Sequence, residues 1–135
     1  MKIEPKVGGK LAIFAVLLLN LLLFPKPSLA HHGGAAYDST KTTTLKATIT
    51  DFSFQNPHVL IYFDAKDDSG NVDHWTCEAA NPAVLIREGW KRDTIKPGDQ
   101  VTILGHAAKS GAKNMRFEKI ILPNGKELQG QNLPN

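Results

Sequence analysis

The sequence predicts a mainly β fold, a small OB-like barrel of five strands with one short helix between strands 3 and 4. Three observations predict it. Successive runs rich in β-branched and aromatic residues lie between residues 42 and 122, each bounded by Gly, Pro, Asn or Asp. A single helix signature, Asn81-Pro82 through Gly89, falls between the third and fourth runs. The first run is long and its alternation slips by one residue, as expected of a strand that bends to serve both halves of a barrel. An open β-sandwich of similar strand count is the alternative.

In the first run Leu45, Ala47 and Ile49 alternate with Thr44, Lys46, Thr48 and Thr50, and the apolar set resumes at Phe52 and Phe54. The step of three from Ile49 to Phe52 predicts a bulge near Asp51. Asn56-Pro57 ends the strand, because proline has no N–H for a ladder. His58–Lys66 starts apolar on both faces and reads as a central strand. Asp67-Asp68-Ser69-Gly70 turns it into Val72–Ala79, with Trp75 and Cys77 on one face and His74, Thr76 and Glu78 on the other.

Asn81 then caps a short helix, with Pro82 at its first position, Ala83–Glu88 continuing it and Gly89 as the left-handed stop. Lys96-Pro97-Gly98-Asp99 is a tight turn into Gln100–Ala108, whose Val101, Ile103 and Gly105 share a face. Ser110–Asn114 turns the chain into the fifth strand, Met115–Leu122. Pro123-Asn124-Gly125 turns it again, and Lys126–Leu128 is long enough for a brief further pairing.

Ahead of the barrel, residues 1–30 read as a secretory signal. Lys2, Lys6 and Lys10 make a basic start, Leu11–Phe24 is apolar except for Asn20, and Ser28-Leu29-Ala30 supplies small residues for cleavage. The apolar run falls short of the ~20 residues that span a bilayer. Cleavage after Ala30 would leave a chain beginning at His31, in a periplasmic or secreted location with no membrane anchor. The expected organisation is a leader at 1–30, a flexible aperiodic arm at 31–41, the barrel at 42–129 and a loose polar tail at 130–135.

The chain holds 16 basic and 13 acidic residues. Lys2, Lys6, Lys10, Lys26 and Glu4 belong to the leader, so twelve of each sign remain in the mature chain. That balance argues against nucleic acid as a partner, since phosphate recognition needs a concentrated basic surface. Cys77 is the lone cysteine, which excludes an intramolecular disulfide despite the exported context.

The set His31-His32, Tyr37-Asp38, Asn56-Pro57-His58, Trp75, Asn81-Pro82, Arg87-Glu88-Gly89-Trp90 and Lys96-Pro97-Gly98-Asp99 resembles a family of small exported bacterial proteins, the domain of unknown function 6152. The resemblance covers most of residues 31–128. It implies export and a small β-barrel. It carries no established activity and no catalytic residues to transfer.

Among individual residues, His31 at a new N-terminus would combine a free amine with an imidazole, a bidentate chelate suited to copper(II). His58 is the expected distant third ligand, with His32 or His106 as helpers. The competing reading makes His31 and His32 the first residues of an arm, and His58 a cap on its strand. His74 and Glu78 share a strand face but stand ~13 Å apart at strand rise, so a ligand can touch both while they cannot form a dyad. Trp90 is expected to pin the helix, and Cys77 to be an inert buried thiol.

No GxSxG, HExxH, Ser-Lys pair or glycine-rich phosphate loop occurs. The expected function is therefore an exported, non-enzymatic binding module. It would take a small ligand or an envelope protein on the face of strands 1–3, through His58, Tyr62, His74 and Glu78. The alternative is a copper-binding protein that uses His31, His58 and His32 for metal storage or delivery, with copper redox chemistry as a weaker third reading.

Overall fold

The computed structural model describes residues 34–130. The leader at 1–30, the His31-His32 pair and residues 131–135 of the tail lie outside the described residues.

The strands are β1 (Thr43–Ser53), β2 (Leu60–Lys66), β3 (Val72–Glu78), β4 (Gln100–Ala107), β5 (Asn114–Ile121) and a short β6 (Glu127–Gln129), and helix α1 (Pro82–Arg87) lies between β3 and β4. The sheet runs β3-β2-β1-β4-β5-β6, and a β3–β5 pairing closes the first five strands into a barrel. This is the predicted fold. All neighbours are antiparallel except β3 and β5, which run parallel. The closing register sets Thr76 against Asn114, Cys77 against Met115 and Glu78 against Arg116.

The predicted slip in β1 is present. Its register against β2 shifts between Ile49 and Asp51, which leaves Thr50 as the extra residue. Residues Thr43–Thr48 pair with β4, whereas Ala47–Ser53 pair with β2, so one bent strand serves both halves. The Lys96–Asp99 turn fills the bend. Ile49 N–H donates to Asp99 O at 2.9 Å, and Gly98 N–H donates to Ile49 O at 2.8 Å. Gly98 sits at φ +93°, in the region that favours glycine.

Inward residues fill the barrel, with Ile49, Ile61, Phe63, Cys77, Ile103 and Met115 almost fully buried. Asn81 Oδ1 accepts from Val84 N–H at 3.0 Å and caps α1 as predicted. Trp90 pins the segment after the helix: it is 1 % exposed, its ring meets Phe117 edge-on at 5.5 Å, and Nε1–H donates to Gln129 O at 3.0 Å. Gly105 is required by a close approach, since a Cβ there would stand 2.3 Å from Arg116 O. The β4–β5 register shifts at that point.

The second strand begins two residues later than the run His58–Lys66 predicts, but its pairing continues outward. Val59 N–H donates to Ala80 O and Ala79 N–H donates to Val59 O, at 3.1 and 2.9 Å. Residues 34–40 belong to the stretch read as an arm. Gly34–Ala36 make a single 3-10 turn and Tyr37 bridges to Ala108. Asp38 N–H donates to Ala107 O at 2.9 Å, and Lys109 N–H donates to Ala36 O at 3.0 Å. The physical reason is Tyr37, whose ring is buried against the barrel at 8 % exposure.

Candidate functional site

The closure of β3 on β5 creates a feature that no single strand contains. Outward residues of β3 and the start of β5 face an open groove of about 490 Å³, whose lining includes Tyr37, His74, Thr76, Glu78, Lys113 and Asn114. Thr76 and Asn114 are register partners across the parallel seam, and Thr76 N–H donates to Lys113 O at 3.1 Å. The groove therefore has a hydrogen-bonded floor, with walls from the docked N-terminal segment and the β4–β5 connection.

Asn114 Oδ1 is buried in this floor and has no hydrogen-bond partner among the described residues. A buried amide oxygen without a donor costs about 1–3 kcal/mol, so native proteins rarely leave one.

Glu78 gathers three parts of the chain. His58 Nδ1 lies 2.6 Å from its Oε1, Tyr37 lines the same groove, and Arg116 stands opposite in register. His58 is delivered by the Asn56-Pro57 step and by Val59, which is fully buried and anchors the strand start. With Nδ1 on a carboxylate, the ring presents Nε2 outward as an acceptor or ligand. Burial first, then the negative charge of Glu78, raises the Tyr37 pKa above its ordinary value. Burial likewise raises the Cys77 thiol pKa, with Glu78 adding to the effect. Such a thiol is a small hydrophobe rather than a nucleophile, as the sequence predicts.

His74 Nδ1 lies 2.6 Å from Asp64 Oδ1, its register partner on β2, and the ring is largely exposed at the groove rim. Lys113 bridges to Asp73 and covers the Trp75 ring at 5.4 Å, so its charge is partnered. Tyr62 lies between Asp51 and Thr76 in the sheet, outside the groove lining. His106 sits on β4 opposite Arg116, with Nδ1 at 3.1 Å from Lys41 O and Nε2 at 3.9 Å from Glu118.

Of the residues chosen from sequence, His74 and Glu78 thus share the groove, and His58 joins through its contact with Glu78. Tyr62 occupies neighbouring sheet surface. His31 and His32, the other proposed metal ligands, lie outside the described residues. Among the described residues no group of three or more His, Cys, Asp or Glu side chains is placed to hold a metal ion. Sequence reasoning missed Tyr37, Lys113 and Asn114. Tyr37 had one available signal, being the only aromatic residue between the leader and β1. Asn114 had none, because a turn asparagine is ordinary.

A family model described as a family of unknown function, DUF6152, matches residues 20–116. No curated protein matches the chain.

Proposed function

The chain belongs to this family of unknown function, DUF6152, and from that premise we propose that it is an exported binding module of the cell envelope whose barrel takes a small polar ligand in the groove beside β3 and β5. The observation that carries the reading is the convergence of His74, Thr76, Glu78 and Asn114 on the one groove that the β3–β5 closure creates. A groove of about 490 Å³ falls in the range of small-molecule sites, which favours a small ligand over an envelope protein. The leader-like residues 1–30 support export.

Thermal melting against a panel of small polar compounds tests this reading. A true ligand raises the melting temperature of the wild-type protein in proportion to its occupancy, and Asn114→Leu abolishes the shift. Compounds that stabilise both proteins equally would place binding elsewhere and overturn the assignment.

A second reading rests on His58. Metal-bound histidines usually present one ring nitrogen to the metal while a carboxylate holds the other, and Glu78 stands at His58 Nδ1 in that manner. In this reading copper(II) is held by His58 Nε2 with the amine and imidazole of a mature His31, aided by His32, for storage or delivery. A copper(II) titration followed by electron paramagnetic resonance, on protein beginning at His31, should show a tight complex with nitrogen couplings that His31→Ala removes. Equal affinity in protein carrying one extra residue before His31 would eliminate the chelate.

A further inference from the structure

We propose that the ligand of the β3–β5 groove is an uncharged, polyhydroxylated compound, a sugar, held through its hydroxyl groups by the outward side chains of β3. The inference rests on the groove being a binding site and names the chemical class it accepts.

The permanent charges of the groove lining cancel. Among the described residues the lining holds one permanent anion, Glu78, and one permanent cation, Lys113. Each is also countered from outside the lining. His58 Nδ1 stands 2.6 Å from Glu78 Oε1, Arg116 lies opposite Glu78 in register, and Asp73 bridges to Lys113. Arg116 forms no ion pair of its own among the described residues. Its guanidinium lies against Gly34, where a Cβ would stand 2.8 Å from Nη1. It is thus a cation beside Glu78 and outside the groove lining. On the Tyr37 phenol burial acts most, then Glu78 raises the pKa while Arg116 lowers it, so both charges reach the same wall. The His74 ring is matched by Asp64. A cationic ligand at Glu78 would therefore meet Lys113 and Arg116, and an anionic ligand at Lys113 would meet Glu78 and Asp73. Neither sign gains, so the groove selects against net charge.

What the groove offers a ligand is hydrogen bonding of both kinds. His74, Thr76 and Glu78 alternate along β3, so they line the groove in a row with ~7 Å between neighbours. The Glu78 carboxylate accepts, and the Lys113 ammonium donates with the hydrogens that Asp73 does not take. The Thr76 hydroxyl does both. With Nδ1–H on Asp64, His74 keeps Nε2 as an acceptor. A hydroxyl group also donates and accepts, so a compound carrying several of them matches this mixed row. Leu60 and Ala112 add apolar surface to the lining, against which the C–H face of a sugar ring can lie.

D-Glucose, D-glucosamine and D-glucuronate are the probes. They share one ring frame and present it neutral, with an ammonium and with a carboxylate. Isothermal titration into the protein should show saturable glucose binding, about tenfold tighter than either charged analogue. That affinity should not change between about 0.05 and 0.5 M salt. Thr76→Val keeps the shape of the side chain and removes its hydroxyl, and should weaken glucose about fivefold. Removing either lining charge should tip the preference: Lys113→Met toward glucosamine, and Glu78→Gln toward glucuronate. These two variants keep the contacts testable if Thr76→Val fails to fold. Wild-type binding of glucosamine or glucuronate that is tighter than glucose, and that Thr76→Val weakens, would overturn the uncharged class while leaving the groove as a binding site. Glucose binding unchanged in Thr76→Val, or a preference unmoved by both Lys113→Met and Glu78→Gln, would overturn the contacts proposed. Absence of saturable binding by all three probes would overturn the sugar proposal, and the wider compound panel then decides the groove itself.

Discussion

At the scale of single residues, Asn114 separates function from stability. Its Oδ1 is buried without a donor among the described residues, and replacing an unsatisfied polar side chain with an apolar one of similar size removes a desolvation penalty of about 1–3 kcal/mol. Asn114→Leu should therefore unfold at higher urea than the wild-type protein while losing ligand. Lower stability in that variant would mean that the amide makes a structural bond. Two other residues set a pH limit. Cys77 and Tyr37 both have raised pKa values in the folded protein, mainly through burial. Each favours folding fully below its unfolded value, 9.0 for the thiol and 10.0 for the phenol. That contribution is lost as pH rises toward the folded values. Urea midpoints should thus fall above about pH 9, and Tyr37→Phe should flatten the part of the decline that begins near pH 10. An unchanged decline in Tyr37→Phe would place the phenol in solvent.

At the scale of elements, the barrel depends on local devices that can be removed singly. Gly105 lies where β4 and β5 shift register, and a Cβ there would meet Arg116 O at 2.3 Å. Gly105→Ala should cost about 1–3 kcal/mol, the range for overpacking, read as a lower urea midpoint with an unchanged slope. The helix cap is a smaller device. Asn81→Ala removes the acceptor for Val84 N–H and should cost about 1 kcal/mol. The groove-side element is the N-terminal segment, joined to the end of β4 by Asp38, Ala36 and Tyr37. Its docking explains why Glu78 has a phenol beside it as well as an imidazole.

At the scale of the whole molecule, period-two patterning and turn chemistry made the strands legible. Thr44–Phe54 shows both its alternation and its slip, and the bulge follows because the inward face must stay apolar on either side of the bend. Asn81, Pro82 and Gly89 mark α1 for equally local reasons. The candidate site was legible only in half. His74 and Glu78 announce a polar face on β3, but their groove also needs Asn114 and Lys113, which the parallel closure brings from far along the chain. Barrel closure is a long-range event without a periodic signature. Tyr37 stands in the family motif but not among the site residues chosen from sequence, because it sits in an aperiodic stretch, where burial depends on what the barrel offers it. His58 was noticed for its Asn-Pro step, yet its partner Glu78 could be named only once β2 and β3 were aligned.

The central claim, that the β3–β5 groove is the binding surface, is tested most directly by mapping amide chemical shifts of the protein during titration with the panel of small polar compounds. Binding in the groove predicts saturable shifts concentrated at Thr76, Glu78 and Lys113–Met115 and extending to Tyr37, all absent in Asn114→Leu. Saturable shifts confined to the outer face around Tyr62 and Asp51, or unchanged by Asn114→Leu, would contradict it.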